Sequence, residues 1–316
     1  MHKPQSKAGT RASDARMLLV ILFWGLTFLF TKLGLESLDP LSFAHLRVAS
    51  AVLALVLMAA INARHHGPVR LDFNDHLLAA GLGLLGMACF PFCFSLAMNH
   101  TSAANAGLIF GTTPVAVGFI SRLLGLERLE TRQWQGLVLS FAGIAVILVP
   151  RGIDFSLETI RGDLLMVGAM LNWALYTVIN RFVRSDRSGL QFTAYGSLWG
   201  IAGLTLLSLN ELAGLPVARV SFVSWMGGLC AGILGTAISY VIWNNTVQTI
   251  GPARTAVYLN LVPLIAAVSG FIILNESLGW PHLLAAGMII PGVFMARGNA
   301  ESTSRPAGNK CLSNLK

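Results

Sequence analysis

Apolar stretches of roughly 16–25 residues recur ten times along this chain, joined by connections too short to hold a domain. They fall at about 17–36, 40–62, 76–97, 103–124, 134–149, 162–180, 190–209, 223–247, 254–274 and 281–296. In lipid, backbone polar groups must find partners inside the protein, and a helix satisfies them within one segment. The expected fold is therefore all-α and integral to a membrane, with ten transmembrane helices. Composition agrees. The 316 residues are 54% hydrophobic and 11% charged, against about 25% charged in soluble domains. Residues 1–16 and 297–316 read as polar, basic cytoplasmic tails flanking the two halves, 17–149 and 162–296.

The net charge of +8 does not mark a nucleic-acid binder. The basic residues lie between apolar stretches rather than in one patch. With the N-terminus in the cytoplasm, 17 Lys and Arg fall in inside segments, and only Arg151, Arg161 and Arg219 fall outside. This positive-inside bias places both termini in the cytoplasm and supports an even number of spans. The short loops, and a first apolar run without an evident cleavage site, suit a multi-pass inner (plasma) membrane protein.

The chain also repeats itself. A shift of 149 residues lays Trp24 on Trp173, Gly83 on Gly232, Gly86 on Gly235 and Ala88 on Ala237. The same shift lays Pro114 on Pro263, Glu127 on Glu276 and Gly143 on Gly292. Each half then holds five helices. An odd number turns the second half upside down relative to the first, giving two inverted five-helix repeats, an architecture of transporters.

The residues that recur are those of a known family. Trp24-Gly25, Phe28 and Lys32 stand in helix 1, Arg47 in helix 2, Pro114 in helix 4, Glu127 just beyond it, and Gly136 and Gly143 in helix 5. Trp173-Ala174, Tyr176, Pro263, Asn275-Glu276, Gly287 and Gly292 follow in the second half. In their order and spacing the chain resembles the drug/metabolite transporter superfamily, in its EamA branch. The resemblance implies a central cavity bounded by helices 1, 3, 4, 6, 8 and 9. It also implies export of amino acids or related metabolites.

Candidate substrate contacts follow from residue type. Trp24, Phe110, Asn172, Trp173, Tyr176, Tyr240, Trp243, Asn244, Tyr258 and Asn260 are aromatic and amide residues where a cavity would lie, and aromatic walls with a few amides suit amphipathic solutes. Arg47 lies deep in helix 2. A cation there needs a cavity or a partner, so it either attracts a substrate carboxylate or ties two helices. Pro114 and Pro263 each remove an amide and clash with the carbonyl four residues back. They are candidate hinges, and the carbonyls of Phe110 and Leu259 need new partners. Glu127 sits beside Arg122, Arg128 and Arg132 in sequence, which suggests an ion pair or a cap.

Other functions find less support. No Asp or Glu lies in the middle third of a helix, which argues against a proton/cationic-drug antiporter. No His-Glu-x-x-His, Gly-x-Ser-x-Gly or phosphate loop is present, so an intramembrane enzyme is disfavoured. Cys89, Cys93, Cys230 and Cys311 follow no metal or disulfide spacing and read as free thiols. The expectation is a non-enzymatic secondary transporter without metal or other cofactor, working by alternating access. Its partners are a small-molecule substrate and the lipid bilayer, with no nucleic acid, and both a monomer and a homodimer are compatible with the sequence. An uptake carrier is the alternative, since direction depends on gradients that sequence does not encode.

Overall fold

The computed structural model describes residues 7–127, 129–153, 156, 159–183, 188–215, 217–274 and 279–298. Asn275 and Glu276, Arg128 and Cys311 lie outside them. Among the described residues the chain is helical, with no strand.

In order, the helices are α1 (Lys7–Gly34), α2 (Pro40–His66), α3 (Phe73–Gly83), α4 (Phe90–Met98), α5 (Ala103–Gly111), α6 (Thr113–Leu123) and α7 (Thr131–Leu148). There follow α8 (Ile160–Ile179), α9 (Gly189–Leu207), α10 (Leu209–Ala213), α11 (Phe222–Cys230), α12 (Ser239–Ile250), α13 (Pro252–Ala256), α14 (Val262–Leu274) and α15 (Trp280–Arg297). Two π-helical segments, Leu84–Cys89 and Ala231–Ile238, make α3–α4 and α11–α12 continuous. A 3-10 segment, Val257–Leu261, joins α13 to α14.

The starts of the helices are written in the sequence. Asp39 caps α2 by accepting from the amides of Leu41 and Ser42, with Pro40 at the first helical position. Asp72 and Asp75 form a reciprocal capping box on α3. Ser102, Ser188 and Ser221 cap α5, α9 and α11.

Among the described residues, seven helices are long and apolar enough to cross a membrane: Ser13–Gly34, Pro40–His66, Phe73–Met98, Ala104–Leu123, Ile160–Phe182, Phe222–Ile250 and Pro252–Ile273. Three others of 18 or 19 residues, α7, α9 and α15, fall short of that measure but pack into the same bundle. Large apolar side chains such as Leu57, Phe119, Leu164, Leu206 and Phe294 stand exposed on the outer faces. A soluble protein would not display so many; lipid accepts them. The chain is a multi-pass membrane protein.

Two details differ from expectation. α1 begins at Lys7, inside the stretch read as a tail. The fourth apolar run is not one smooth helix but breaks at Thr112 between α5 and α6, because Pro114 cannot supply the next amide.

Glycines set the closest helix approaches. A Cβ on Gly83 would lie 1.8 Å from the Gly196 carbonyl oxygen, so α3 touches the α9 backbone there. A Cβ on Gly232 would lie 2.3 Å from the Arg47 carbonyl oxygen, so the π segment touches α2. Residues 83 and 232, and residues 47 and 196, are each 149 apart, so the two contacts correspond. α7 and α15 meet at Gly136, Gly143 and Gly292 in the same backbone-to-backbone manner.

Candidate functional site

Within the largest buried cluster among the described residues lies a group of aromatic rings, where α1, α3–α4, α8 and α11–α12 converge. Trp173 of α8 is its hub. Its ring centroid is 5.2 Å from Phe90, Tyr176 and Tyr240, 5.6 Å from Trp24 and 5.7 Å from Trp243. Trp24 also lies 5.1 Å from Trp243, and Phe110 joins through Phe90 at 5.8 Å. Edge-to-face and tilted contacts of this kind contribute about 0.5–1.5 kcal/mol per pair beyond area burial. The centre is thus closed by the protein's own rings.

The π-helical segments feed this cluster. Pro91 denies the Met87 carbonyl its usual amide, and the Phe90 amide turns instead to the Leu85 carbonyl. Widened turns leave carbonyls open to side chains. The Tyr240 hydroxyl donates to the Gly86 carbonyl at 3.0 Å, and the Trp24 indole donates to the Gly235 carbonyl at 2.7 Å. Gly86 and Gly235 are 149 apart, so each half offers the equivalent carbonyl to an aromatic donor.

A polar chain leaves the cluster on the α9 side. The Tyr176 hydroxyl donates to Asn244 Oδ1 at 2.9 Å, Asn244 Nδ2 to Thr193 Oγ1 at 3.0 Å, and Thr193 to the Gly189 carbonyl at 2.7 Å. Beside it is a cavity of about 20 Å³ lined by Gly83, Tyr176, Asn180, Thr193, Ser197 and Asn244, room for a single water. Not every donor in the centre is satisfied. The indole nitrogens of Trp173 and Trp243, and Arg47 Nε, are buried without a hydrogen-bond partner among the described residues. The charge of Arg47 reaches Tyr240.

The model of the EamA-like transporter family matches residues 13–149 and again residues 160–298. The chain belongs to that family. It also fits the wider drug/metabolite transporter superfamily. An uncharacterized transporter of Archaeoglobus fulgidus is 30% identical over 284 residues, covering 88% of this chain and 94% of its own. The uncharacterized transporter YyaM of Bacillus subtilis is 25% identical over 285 residues, covering 88% and 90%. A WAT1-related chloroplast protein of Arabidopsis thaliana is 25% identical over 282 residues, covering 86% and 66%. A crystal structure with 18% identity superposes with a TM-score of 0.74 over 90% of this chain and 97% of that one, a likeness of fold. General transporter function is supported, and the names of these relatives state no substrate.

The structure gathers some of the sequence candidates and separates others. Trp24, Phe110, Trp173, Tyr176, Tyr240 and Trp243 share the cluster, and Arg47 borders it. Asn260 does not join them: its amide donates to Ser140 Oγ at 2.6 Å and ties the 3-10 segment to α7. Tyr258 lies at the start of α1, where its hydroxyl donates to Asp14 at 2.6 Å. Asn172 turns back on its own helix and donates to the Gly168 carbonyl. Helical spacing alone could not tell a ring facing the centre from an amide facing its own backbone.

The freed carbonyls at the prolines find local partners. Thr113 Oγ1 donates to the Phe110 carbonyl, and the Val262 amide to that of Leu259. Glu127 takes the capping role, but on a helix of the other half rather than with its sequence neighbours. It accepts from the Ala253 amide at 2.7 Å at the start of α13, near Arg254 and Arg181. Burial raises its carboxyl above the ordinary range, opposed by that amide and the two arginines.

Asn244, another amide candidate, joins the cluster through Tyr176, whereas Phe90, Phe94 and Thr193 are central residues that the sequence reading did not select. Phe94 and Trp243 are 149 apart, so the repeat itself held that signal.

Proposed function

We propose that this protein is a ten-span secondary transporter of two inverted repeats. It exports amino acids or related metabolites across the inner membrane by alternating access, with both termini in the cytoplasm. The family supports a transport role. The correspondence of the Gly83–Gly196 and Gly232–Arg47 contacts supports a two-fold relation between the halves. With five helices in each half, that relation inverts one against the other. Two equivalent closures of the path then follow, one for each side.

The observation that carries the substrate reading is the set of unsatisfied donors: Trp173 Nε1, Trp243 Nε1 and Arg47 Nε. An unpaired buried donor costs about 1–3 kcal/mol. A solute bearing an acceptor, such as a carboxylate, recovers that cost on binding, and the rings accommodate its apolar part. Pro114 and Pro263 are assigned as the hinges that let the rings part.

The test is flux. Proteoliposomes holding the purified protein are offered a panel of radiolabelled amino acids, their methyl esters, and mono- and dicarboxylates. The expected result is saturable movement of at least one free carboxylate in preference to its ester. If no solute moves and none shifts the thermal stability of the protein, the proposal fails.

A further inference from the structure

We infer that Asp14 and Asp163 close opposite ends of the transport path, as equivalent positioning residues of the two repeats. The inference rests on the transporter reading above. The two residues are 149 apart. Asp14 lies near the start of α1 and Asp163 in the first turn of α8. With five helices between them, these turns fall on opposite faces.

Each carboxylate reaches out of its own helix to the equivalent helix pair, though to residues that differ in place and type. Asp14 accepts from the hydroxyl of Tyr258, in the 3-10 segment between α13 and α14, at 2.6 Å. Its second oxygen lies 2.6 Å from the guanidinium of Arg297, at the end of α15. Asp163 accepts from the Thr101 hydroxyl, just before α5, and from Asn105 Nδ2 in its first turn, at 3.1 and 3.2 Å. α5–α6 and α13–α14 are themselves equivalent under the shift. So α1 grips one member of that pair and α8 the other, through the same residue position, at opposite ends.

Both ties lie away from the aromatic cluster, so neither carboxylate touches a substrate held there. Their chemistry differs. Asp14 meets a full positive charge, whereas Asp163 meets a hydroxyl and an amide. Breaking one tie favours opening at its own end, and alternating access then favours closure at the other. A staple that merely holds the fold together would loosen both ends at once.

Ala104 and Ala253 provide matched reporters. They are 149 apart and 3% and 2% exposed; Ala104 adjoins Asn105, and Ala253 lies in α13, which runs into the 3-10 segment that carries Tyr258. With the native cysteines replaced, Ala104→Cys or Ala253→Cys is labelled by an impermeant maleimide applied to each face of sealed vesicles. Loss of hydrogen bonds to a charged group shifts an open–closed equilibrium about tenfold. Asp163→Ala should speed labelling at residue 104 by about that factor and leave residue 253 unchanged or slower. Asp14→Ala should do the reverse.

Acceleration of both reporters by either variant, or of neither, overturns the inference. If the alanine variants do not fold, Asp14→Asn and Asp163→Asn serve. The first loses its countercharge and should open its end several-fold; the second keeps an acceptor and should change little, and equal or reversed effects overturn the inference. The labelling needs no substrate. Opposite responses in a chain that moves no solute would therefore refute the transporter reading while supporting the paired closures.

Discussion

Gly83→Ala tests the helix packing at its tightest point. The added Cβ would lie 1.8 Å from the Gly196 carbonyl oxygen, where ordinary contact begins at 3.4 Å. The deficit is about 1.6 Å, and the obstacle is backbone, which no rotamer change can clear. α3 and α9 would have to separate along their interface, at a cost of about 3 kcal/mol, the upper end for overpacking. Gly81, two residues earlier on the same helix, is the control: a Cβ there meets nothing within 4 Å. Gly81→Ala should gain up to about 1 kcal/mol from helix propensity. The two substitutions should differ by about 4 kcal/mol, or about 8–16 °C in apparent melting temperature. Thermal scans of detergent-purified variants at one fixed scan rate give the comparison. Equal tolerance of both substitutions would refute the close approach of α3 and α9, and with it the corresponding contact of Gly232 with Arg47.

Four further outcomes are expected. Trp24→Phe leaves the Gly235 carbonyl without its donor and should cost about 1–3 kcal/mol of stability. Trp243→Phe keeps a ring but removes an unpartnered donor, so it should raise the KM for a carboxylate substrate about tenfold; an unchanged KM would remove Trp243 from recognition. Glu127→Gln keeps an acceptor for the Ala253 amide and removes a carboxyl whose ionisation is opposed by burial. A carboxyl raised in the folded state favours folding most at low pH and loses that contribution as pH climbs from the ordinary glutamate range, near 4.5, through its raised value. Wild type should therefore lose stability relative to Glu127→Gln over that interval, and parallel pH profiles would contradict it. Pro114→Ala together with Pro263→Ala should abolish transport without unfolding the protein, and undiminished flux would dismiss the hinges.

The helical membrane class was legible because lipid leaves a spanning backbone few alternatives. Caps were legible for the same kind of reason: Asp39-Pro40 and Asp72 with Asp75 satisfy local amides with local side chains. The site was legible by residue type but not by direction. Trp173 and Asn172 are neighbours, yet one is the hub of the cluster and the other bonds to its own helix. Tyr258 and Tyr240 are chemically alike, yet one reaches an end of the bundle and the other a carbonyl at its centre. Those outcomes depend on which helix lies opposite, a choice made by contacts more than a hundred residues apart. The α5–α6 break was foreseeable from Pro114; its repair by the Thr113 hydroxyl depended on a side-chain geometry that spacing does not give.

The small residues that first exposed the repeat have a physical role that ties packing to the site. Gly83 and Gly232 let backbones touch, while Gly86 and Gly235, three residues on, present carbonyls from widened turns to Tyr240 and Trp24. A larger residue at 83 or 232 would move the widened turn away from its aromatic donor. A Cβ on Gly86 would also lie 2.7 Å from the Tyr176 ring, and one on Gly235 2.3 Å from Thr27 Oγ1. Helix contact and ring placement are therefore set by the same short segment in each half. A motion that slides α3 along α9 must also alter the grip of Gly86 on Tyr240, and through Tyr240 the packing of Trp173. That mechanical link makes a closed aromatic centre compatible with a path that opens: the rings need not be pushed aside by a solute if the helices that hold their hydrogen bonds move first.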